Sequence, residues 1–197
     1  MSVKITSLTL WTQAWRLIKE GAARTDHSYS LVAMANCGAQ GIPRQRTVVL
    51  RNADEGSATL YTYTDRRSVK ASELRQHNVL SYLFWDADSR IQFTGHGPTH
   101  WLPEEEARAL FDTLPKHSRK AYATVQPPAT PIDRPQDGLP DDWPTRAITD
   151  TDYAAGHFGV LVTELQYAEV LRLDREHNLR LSGVRTGAEW TLTWLIP

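Results

Sequence analysis

Short stretches with the length and composition of β-strands dominate the chain. Nine of them are separated by turn residues such as Gly, Pro, Asn and Asp, an arrangement that indicates a sheet protein with many short strands. The run 79–85 has apolar residues at successive positions, which predicts a strand buried on both faces. The predicted strands cover residues 28–36, 45–51, 57–64, 79–85, 90–101, 158–165, 167–173, 178–183 and 189–196.

Helical spacing appears in a few segments between these strands. Apolar residues at helical intervals predict a helix over 8–19, which Gly21 is expected to stop. Pro103 and the three glutamates after it favour the start of a helix over 103–114. Shorter helical segments are expected over 68–76, 116–124 and 150–156. The pattern predicts a mainly β protein, a small antiparallel barrel with peripheral helices.

Composition limits the class of protein. The chain has 197 residues, 41% of them hydrophobic, which suits one domain over residues 1–197 with a proline-rich irregular excursion at about 126–147. The formal net charge of −1 lacks the basic footprint of a nucleic-acid binder, so any anion site must be local. Cys37 is the single cysteine, and no segment resembles a signal peptide or a membrane span, so we expect a cytoplasmic protein without a membrane partner.

Basic and hydroxyl side chains gather around the end of the third predicted strand. A phosphate group needs guanidinium, hydroxyl and backbone N–H donors, and this group supplies all three. The alternative is an ordinary charged turn leading into a helix. The residues concerned are Arg46, Arg51, Tyr61, Thr62, Arg66, Arg67, Ser68 and Lys70.

Two further patterns bear on the chemistry. Arg90 and Gln92 are two residues apart, which places both on one face of the predicted strand, as heterocycle contacts or as a solvent-facing edge. His96 and His100 have HxxxH spacing, but the intervening Gly97-Pro98 argues against a helix, so we expect no metal site. No GxSxG, GxGxxG or GxxxxGK[ST] motif occurs.

Several of these pieces, taken in order, resemble the pyridoxamine 5'-phosphate oxidases. "RTVVLR" is similar to a strand of that family, and "EGSATLYTYTDRRSVKASEL" resembles its next strand and helix. "VLSYLFWDADSRIQFTGHGPTHWLPEEEARALFDTLP" and the closing "RLSGVRTGAEWTLTWLIP" look like later elements of the family. The resemblance implies an FMN-binding split β-barrel of antiparallel Greek-key type, a homodimer with each FMN between the subunits.

The resemblance also implies cofactor contacts. Arg67 matches the arginine that grips the FMN phosphate, and the adjacent lysine of the family falls on Ser68, with Lys70 two residues along as a replacement. Gln126 matches a glutamine that reaches the FMN of the other subunit, and Arg180 matches a late FMN contact. The remaining implied contacts are Arg46, Thr47, Val48, Val49, Leu50, Arg51, Tyr61, Thr62, Arg66, and either Arg90 or Gln92.

The departures from the family concern its substrate. Donors that hold the substrate phosphate are replaced by Leu110 and Leu114, while Ser118 is retained. An apolar side chain cannot bind a phosphate dianion. We therefore expect a flavin-dependent oxidoreductase acting on another small molecule. Two alternatives stay open: a genuine pyridoxamine 5'-phosphate oxidase that uses Arg44, Lys116 or Arg119, and a non-catalytic carrier or sensor of flavin or haem.

Overall fold

The fold is mostly β, as the sequence pattern predicts. A computed structural model of the chain describes residues 5–197. Its strands are β1 Leu31–Cys37, β2 Pro43–Asp54, β3 Thr59–Asp65, β4 Val79–Asp86, β5 Ile91–Trp101, β6 Phe158–Glu164, β7 Tyr167–Arg172, β8 Leu179–Thr186 and β9 Glu189–Leu195. Its α-helices are α1 Ser7–Ala23, α2 Val69–Glu73, α3 Glu104–Asp112 and α4 Lys116–Arg119. Within the described range no helix is long and apolar enough to cross a lipid bilayer.

Six strands close into an antiparallel barrel. The pairing runs β4-β1-β2-β3-β6-β5, and β5 pairs back with β4 to complete the ring. β7, β8 and β9 extend the sheet outward from β5. β5 serves both parts because its first half pairs with β4 and β7, whereas Thr99 to Trp101 pair with β6. The predicted barrel with peripheral helices is confirmed.

Two apolar clusters hold the fold together. The larger one fills the barrel and is covered by α1, whose Trp11 and Trp15 pack on Phe93 of β5. The smaller one lies between the barrel wall and α3, with Phe111 and Phe158 at its centre. Burial of this much aromatic and aliphatic surface is the main source of stability.

Two sequence expectations, about α1 and β4, are wrong. α1 does not stop at Gly21 but continues to Ala23, because Gly21 is buried where the chain approaches Tyr29, and a Cβ there would lie 2.5 Å from the Tyr29 Cβ. β4 is not buried on both faces: its side chains alternate, and those of Val79, Leu83 and Trp85 are exposed. Ser68 is the N-cap residue of α2, and its side chain makes no capping hydrogen bond.

The proline-rich segment has no helix or strand between Tyr122 and Thr149. It is fixed by hydrogen bonds to the rest of the chain. Lys116 Nζ donates to the carbonyl oxygens of Trp143 at 2.7 Å and Pro144 at 3.2 Å. The segment therefore lies against the α4 end of the smaller cluster as ordered irregular chain.

Candidate functional site

Two cations from different elements meet at one end of the barrel. Arg46 lies on the barrel-facing side of β2, opposite Met34 of β1, and is half-buried. Lys70 is in the first turn of α2, and its Nζ donates to Ser68 Oγ at 3.3 Å. Among the described residues no carboxylate lies within ion-pair distance of either cation. Ser68, Arg46 and Lys70 are called the cation cluster below.

The electrostatics of the cation cluster favour an incoming anion. Burial lowers the pKa of the Lys70 ammonium, and the nearby charge of Arg46 lowers it further, against the opposing effect of Asp65. Burial also lowers the pKa of Arg46, with Glu73 opposing and Arg44 adding to the effect. Two like charges held together away from water destabilise each other until a negative charge lies between them. Perturbed cations of this kind mark candidate functional sites.

Arg67 lies beside the cation cluster, but its donors are already engaged. Its guanidinium donates to Asp65 Oδ2 at 2.7 Å and to the Thr124 carbonyl and hydroxyl oxygens at 2.9 and 3.0 Å. Asp65 is buried, so this ion pair also satisfies a buried carboxylate. Arg67 thus joins the end of β3 to the start of the proline-rich segment, and Asp65 connects it electrostatically to Lys70.

Arg66 is not brought to the cation cluster. Its Nε donates to the Phe158 carbonyl oxygen at 3.1 Å, and its Nη1 lies 3.2 Å from Glu104 of α3. The guanidinium also stacks over the Trp101 ring at 5.1 Å. These contacts tie Arg66 to α3 and β6.

The predicted cofactor strand is split between two faces of the sheet. Arg46, Val48 and Leu50 alternate toward the barrel, and Leu50 is fully buried. Thr47 and Val49 pair with Ala33 and Leu31 of β1 on the outer face. Alternation thus lets one strand present a cation at the barrel end and small side chains outside.

Arg51 and the β3 tyrosines lie toward α3. The register of β2 and β3 shifts just after Leu50, and the Arg51 guanidinium stacks 5.0 Å from the centre of the Tyr63 ring. Tyr61 packs against the smaller apolar cluster, whereas Thr62 is buried inside the barrel. Arg51 and Tyr61 are therefore separated from the cation cluster by the strand pleat, whereas Thr62 shares the barrel-facing side with Leu50.

Gln92 and Arg180 share the outer face of the sheet. Cross-strand register places Gln92, Leu171 and Arg180 in one row across β5, β7 and β8. Arg180 Nε donates to Glu169 Oε2 at 2.8 Å. Arg90, in contrast, is not on the strand as expected, because it lies in the preceding turn with a φ of 54°. The geometry therefore favours Gln92 over Arg90 as a ligand-facing residue.

Gln126 opens the proline-rich segment on the surface. Its carbonyl oxygen accepts a hydrogen bond from Thr124 Oγ1 at 2.8 Å. With Val125, Ile132 and Leu139 it lines an open cavity of about 530 Å³ between this segment and the chain near Ala121. Within one chain it makes no described contact with the cation cluster, so the implied reach to a second subunit stays a prediction.

The positions that the resemblance assigns to substrate binding are apolar here, and the cations suggested in their place make structural contacts. Leu110 and Leu114 pack in the smaller apolar cluster. Arg119 is buried and donates to the Leu114 carbonyl oxygen at 3.0 Å and to Asp152 at 2.7 Å. Arg119 and Lys116 therefore fix the surrounding chain through these hydrogen bonds.

Asn36 and Glu73 belong to the site but carry no sequence motif. Both are buried polar residues, and the Asn36 amide connects Glu73 to Arg46. The position of Asn36 in the sequence could have indicated its role. It continues the inward-facing series of Val32 and Met34 on β1, where a polar side chain needs a hydrogen-bond partner.

Residues 10–102 match the family model described as pyridoxamine 5'-phosphate oxidase, FMN-binding domain. The chain is similar, over just under half of its length, to the FMN-binding domain of the pyridoxamine 5'-phosphate oxidases. It is 29% identical over 101 residues to the pyridoxine/pyridoxamine 5'-phosphate oxidase of Deinococcus deserti, an alignment that covers 51% of this chain. The chain spans only 46% of the length of that enzyme.

Two solved structures have the same fold as this chain. A pyridoxamine 5'-phosphate oxidase-related FMN-binding protein of Nostoc punctiforme superposes with a TM-score of 0.73 at 19% identity, covering 95% of this chain and 97% of its own. PhzG of Burkholderia lata, in complex with tetrahydrophenazine-1-carboxylic acid, gives a TM-score of 0.71 at 17% identity, covering 100% and 95%. At these identities the likeness shows the split-barrel fold alone.

Proposed function

We propose that the chain binds FMN and that the cation cluster holds its phosphate. The observation that carries the proposal is the pairing of Arg46 and Lys70, two half-buried cations that have no carboxylate at ion-pair distance among residues 5–197. Ammonium, guanidinium and the Ser68 hydroxyl are hydrogen-bond donors, and a phosphate dianion accepts from all three. The donor set therefore fits the phosphate end of FMN, in agreement with the family of its relatives.

We infer that the flavin ring lies along the outer face of the sheet, between two copies of the chain. Leu31, Leu83 and Trp85 are exposed there on one copy, and Thr47 and Val49 continue the same surface. In a two-fold dimer the same face of both copies meets, so each cofactor is bordered by residues of both. Gln92, Arg180 and Gln126 are the proposed contacts with the ring.

The proposed activity is that of a flavin-dependent oxidoreductase acting on a small molecule. FMN supplies transfer of a hydride or an electron pair when it is bound. The chain fixes the phosphate through Arg46 and Lys70 and shapes the surface over the ring. No general acid or base from the chain is required by this assignment.

The apolar positions on and after α3 support a substrate other than pyridoxamine 5'-phosphate. Leu110 and Leu114 remove two of the three donors that the resemblance assigns to a substrate phosphate and leave Ser118 alone, while Arg119 and Lys116 are hydrogen-bonded elsewhere. PhzG of Burkholderia lata, which has this fold, is seen in complex with tetrahydrophenazine-1-carboxylic acid. An apolar ring substrate with at most a single negative charge is therefore the class that we propose.

Purification and turnover test these assignments. We expect the purified protein to carry a yellow flavin, or to acquire one on incubation with FMN, and to show little oxidation of pyridoxamine 5'-phosphate by oxygen. A protein that takes up no FMN contradicts the cofactor proposal. Rapid pyridoxamine 5'-phosphate oxidation contradicts the substrate proposal alone and favours the genuine oxidase.

A further inference from the structure

A buried carboxylate stands at the edge of the cation cluster without an assigned role. Glu73 ends α2 and is 8% exposed. Its Oε1 lies 3.2 Å from Arg44 Nε, and its Oε2 accepts from Asn36 Nδ2 at 2.8 Å. A negative charge beside a phosphate site opposes the ligand by simple repulsion, so its presence needs another reason.

The Asn36 amide supplies that reason. Its Nδ2 donates to Glu73 and also to the Cys37 carbonyl oxygen at 3.0 Å, and its Oδ1 accepts from Arg46 Nη1. A carboxylate can only accept hydrogen bonds, so Glu73 fixes which end of the amide faces it. The oxygen of Asn36 is thereby turned toward Arg46.

Arg46 is thus restrained from two sides. Besides Asn36 Oδ1, its Nη1 donates to the Arg44 carbonyl oxygen at 3.2 Å. Arg44 is drawn to Glu73 by its own ion pair, which keeps a third cation in a fixed place. The remaining donors of Arg46 stay available for a ligand, since a guanidinium has five N–H groups.

The placement of Glu73 also links the two cations of the cluster. Lys70 and Glu73 are three residues apart on α2, so one short helix carries the ammonium and the carboxylate that orients Arg46 through Asn36. A shift of α2 would therefore move both cations together. Hydrogen bonds through Asn36 of β1 thus connect Arg46 of β2 to the helix that carries Lys70.

We propose that Glu73 and Asn36 are positioning residues for the phosphate grip of Arg46, an inference that rests on the proposed FMN site. They touch no ligand themselves. Their contribution is to hold the guanidinium in the orientation that the phosphate requires. This contribution must appear with a phosphorylated flavin and be absent with riboflavin, which lacks the phosphate.

Glu73→Gln tests the proposal because it keeps the size of the side chain and removes its acceptor-only character. The flavin-free protein is titrated with FMN and with riboflavin, and its thermal unfolding is measured. We expect roughly tenfold weaker FMN binding, the effect of one misoriented charge-assisted hydrogen bond, with riboflavin binding unchanged. Glu105→Gln, an exposed change of the same charge on α3, is the matched control and leaves both affinities unchanged.

The other outcomes are decisive as well. Unchanged or tighter FMN binding in Glu73→Gln overturns the proposal, since Glu73 would then act only as a repelling charge. Equal weakening of FMN and riboflavin assigns Glu73 to the fold alone and also overturns it. Asn36→Leu must reproduce the loss that is specific to the phosphate. A wild-type protein that binds no FMN contradicts the proposed function itself.

Discussion

At the residue scale, Lys70 is the side chain with the clearest conflict between folding and ligand binding. Its ammonium is half-buried near Arg46, and both this burial and the neighbouring charge lower its pKa. Without a ligand this arrangement destabilises the folded protein, because the unfolded chain holds the same charge in water. Residues that reduce stability in this way are typical of binding sites.

Lys70→Met is expected to separate the effect of Lys70 on folding stability from its effect on FMN binding. It keeps the length of the side chain, so the flavin-free protein should be at least as stable as the wild type, as measured by thermal unfolding. FMN affinity should fall by about 1.5–3 kcal/mol, the size of a hydrogen bond to a charged group. Undiminished FMN affinity would show that Lys70 lies outside the site.

Arg67→Ala should differ from Lys70→Met in its effect on the stability of the flavin-free protein. It removes the partner of the buried Asp65 carboxylate, so its main effect should be on folding, about 3–5 kcal/mol for a buried pair.

The sequence did not distinguish these two cations. "RRSVK" offers three of them within five residues, and the resemblance pointed to Arg67. Besides the neighbouring Asp65, Arg67 is engaged by Thr124, which lies 57 positions away in the chain. A contact of that separation depends on the whole fold, so no local pattern could have predicted it.

At the scale of elements, β5 is the strand on which both parts of the sheet depend. Gly97 lies at the point where its pairing passes from β4 and β7 to β6. A Cβ at this position would lie 1.8 Å from the Glu164 carbonyl oxygen, far inside contact distance. The close approach of two backbones, rather than an unusual backbone angle, is what requires glycine here.

Gly97→Ala should therefore destabilise the barrel, by about 1–3 kcal/mol or more, as overpacking commonly does. Chemical denaturation measures the change in the free energy of unfolding. Gly156→Ala is the matched control, because a Cβ there meets no atom within 4 Å. Equal stability of the two variants would refute the close approach of β5 and β6.

The strands were well predicted, since turn residues bound them and side-chain alternation identifies most of them. The limits of α1 were not, because the packing of Gly21 against Tyr29 outweighs the low helix propensity of glycine. β4 reads as buried on both faces because its outward side chains are also apolar. One chain leaves those side chains in water, which suggests that a second copy covers them.

At the scale of the whole molecule, the outer face of the sheet is the expected contact between subunits. Exposed apolar residues on neighbouring strands form a continuous surface there, and surfaces of this kind mark interaction sites. Leu31 and Leu83 both flank Ala33, on β1 and on the adjacent β4. The proposed flavin ring shares this surface, so dimerisation and cofactor binding should depend on each other.

Leu83→Asp should disrupt that contact by placing charges face to face across the two-fold axis. Light scattering on the purified protein should then report a monomer with weakened FMN binding. Leu8→Asp, an exposed change on α1, serves as the control and should leave the mass unchanged. A Leu83→Asp protein that remains a dimer with full FMN affinity would rule out this face.

The central claim is that the cation cluster grips the phosphate of FMN. The most direct measurement compares the affinities of the flavin-free protein for FMN and riboflavin at one salt concentration. We predict that FMN binds roughly 100-fold more tightly, as expected for two charge-assisted contacts to the phosphate. Equal affinities for the two flavins, or no binding of either, would contradict the account.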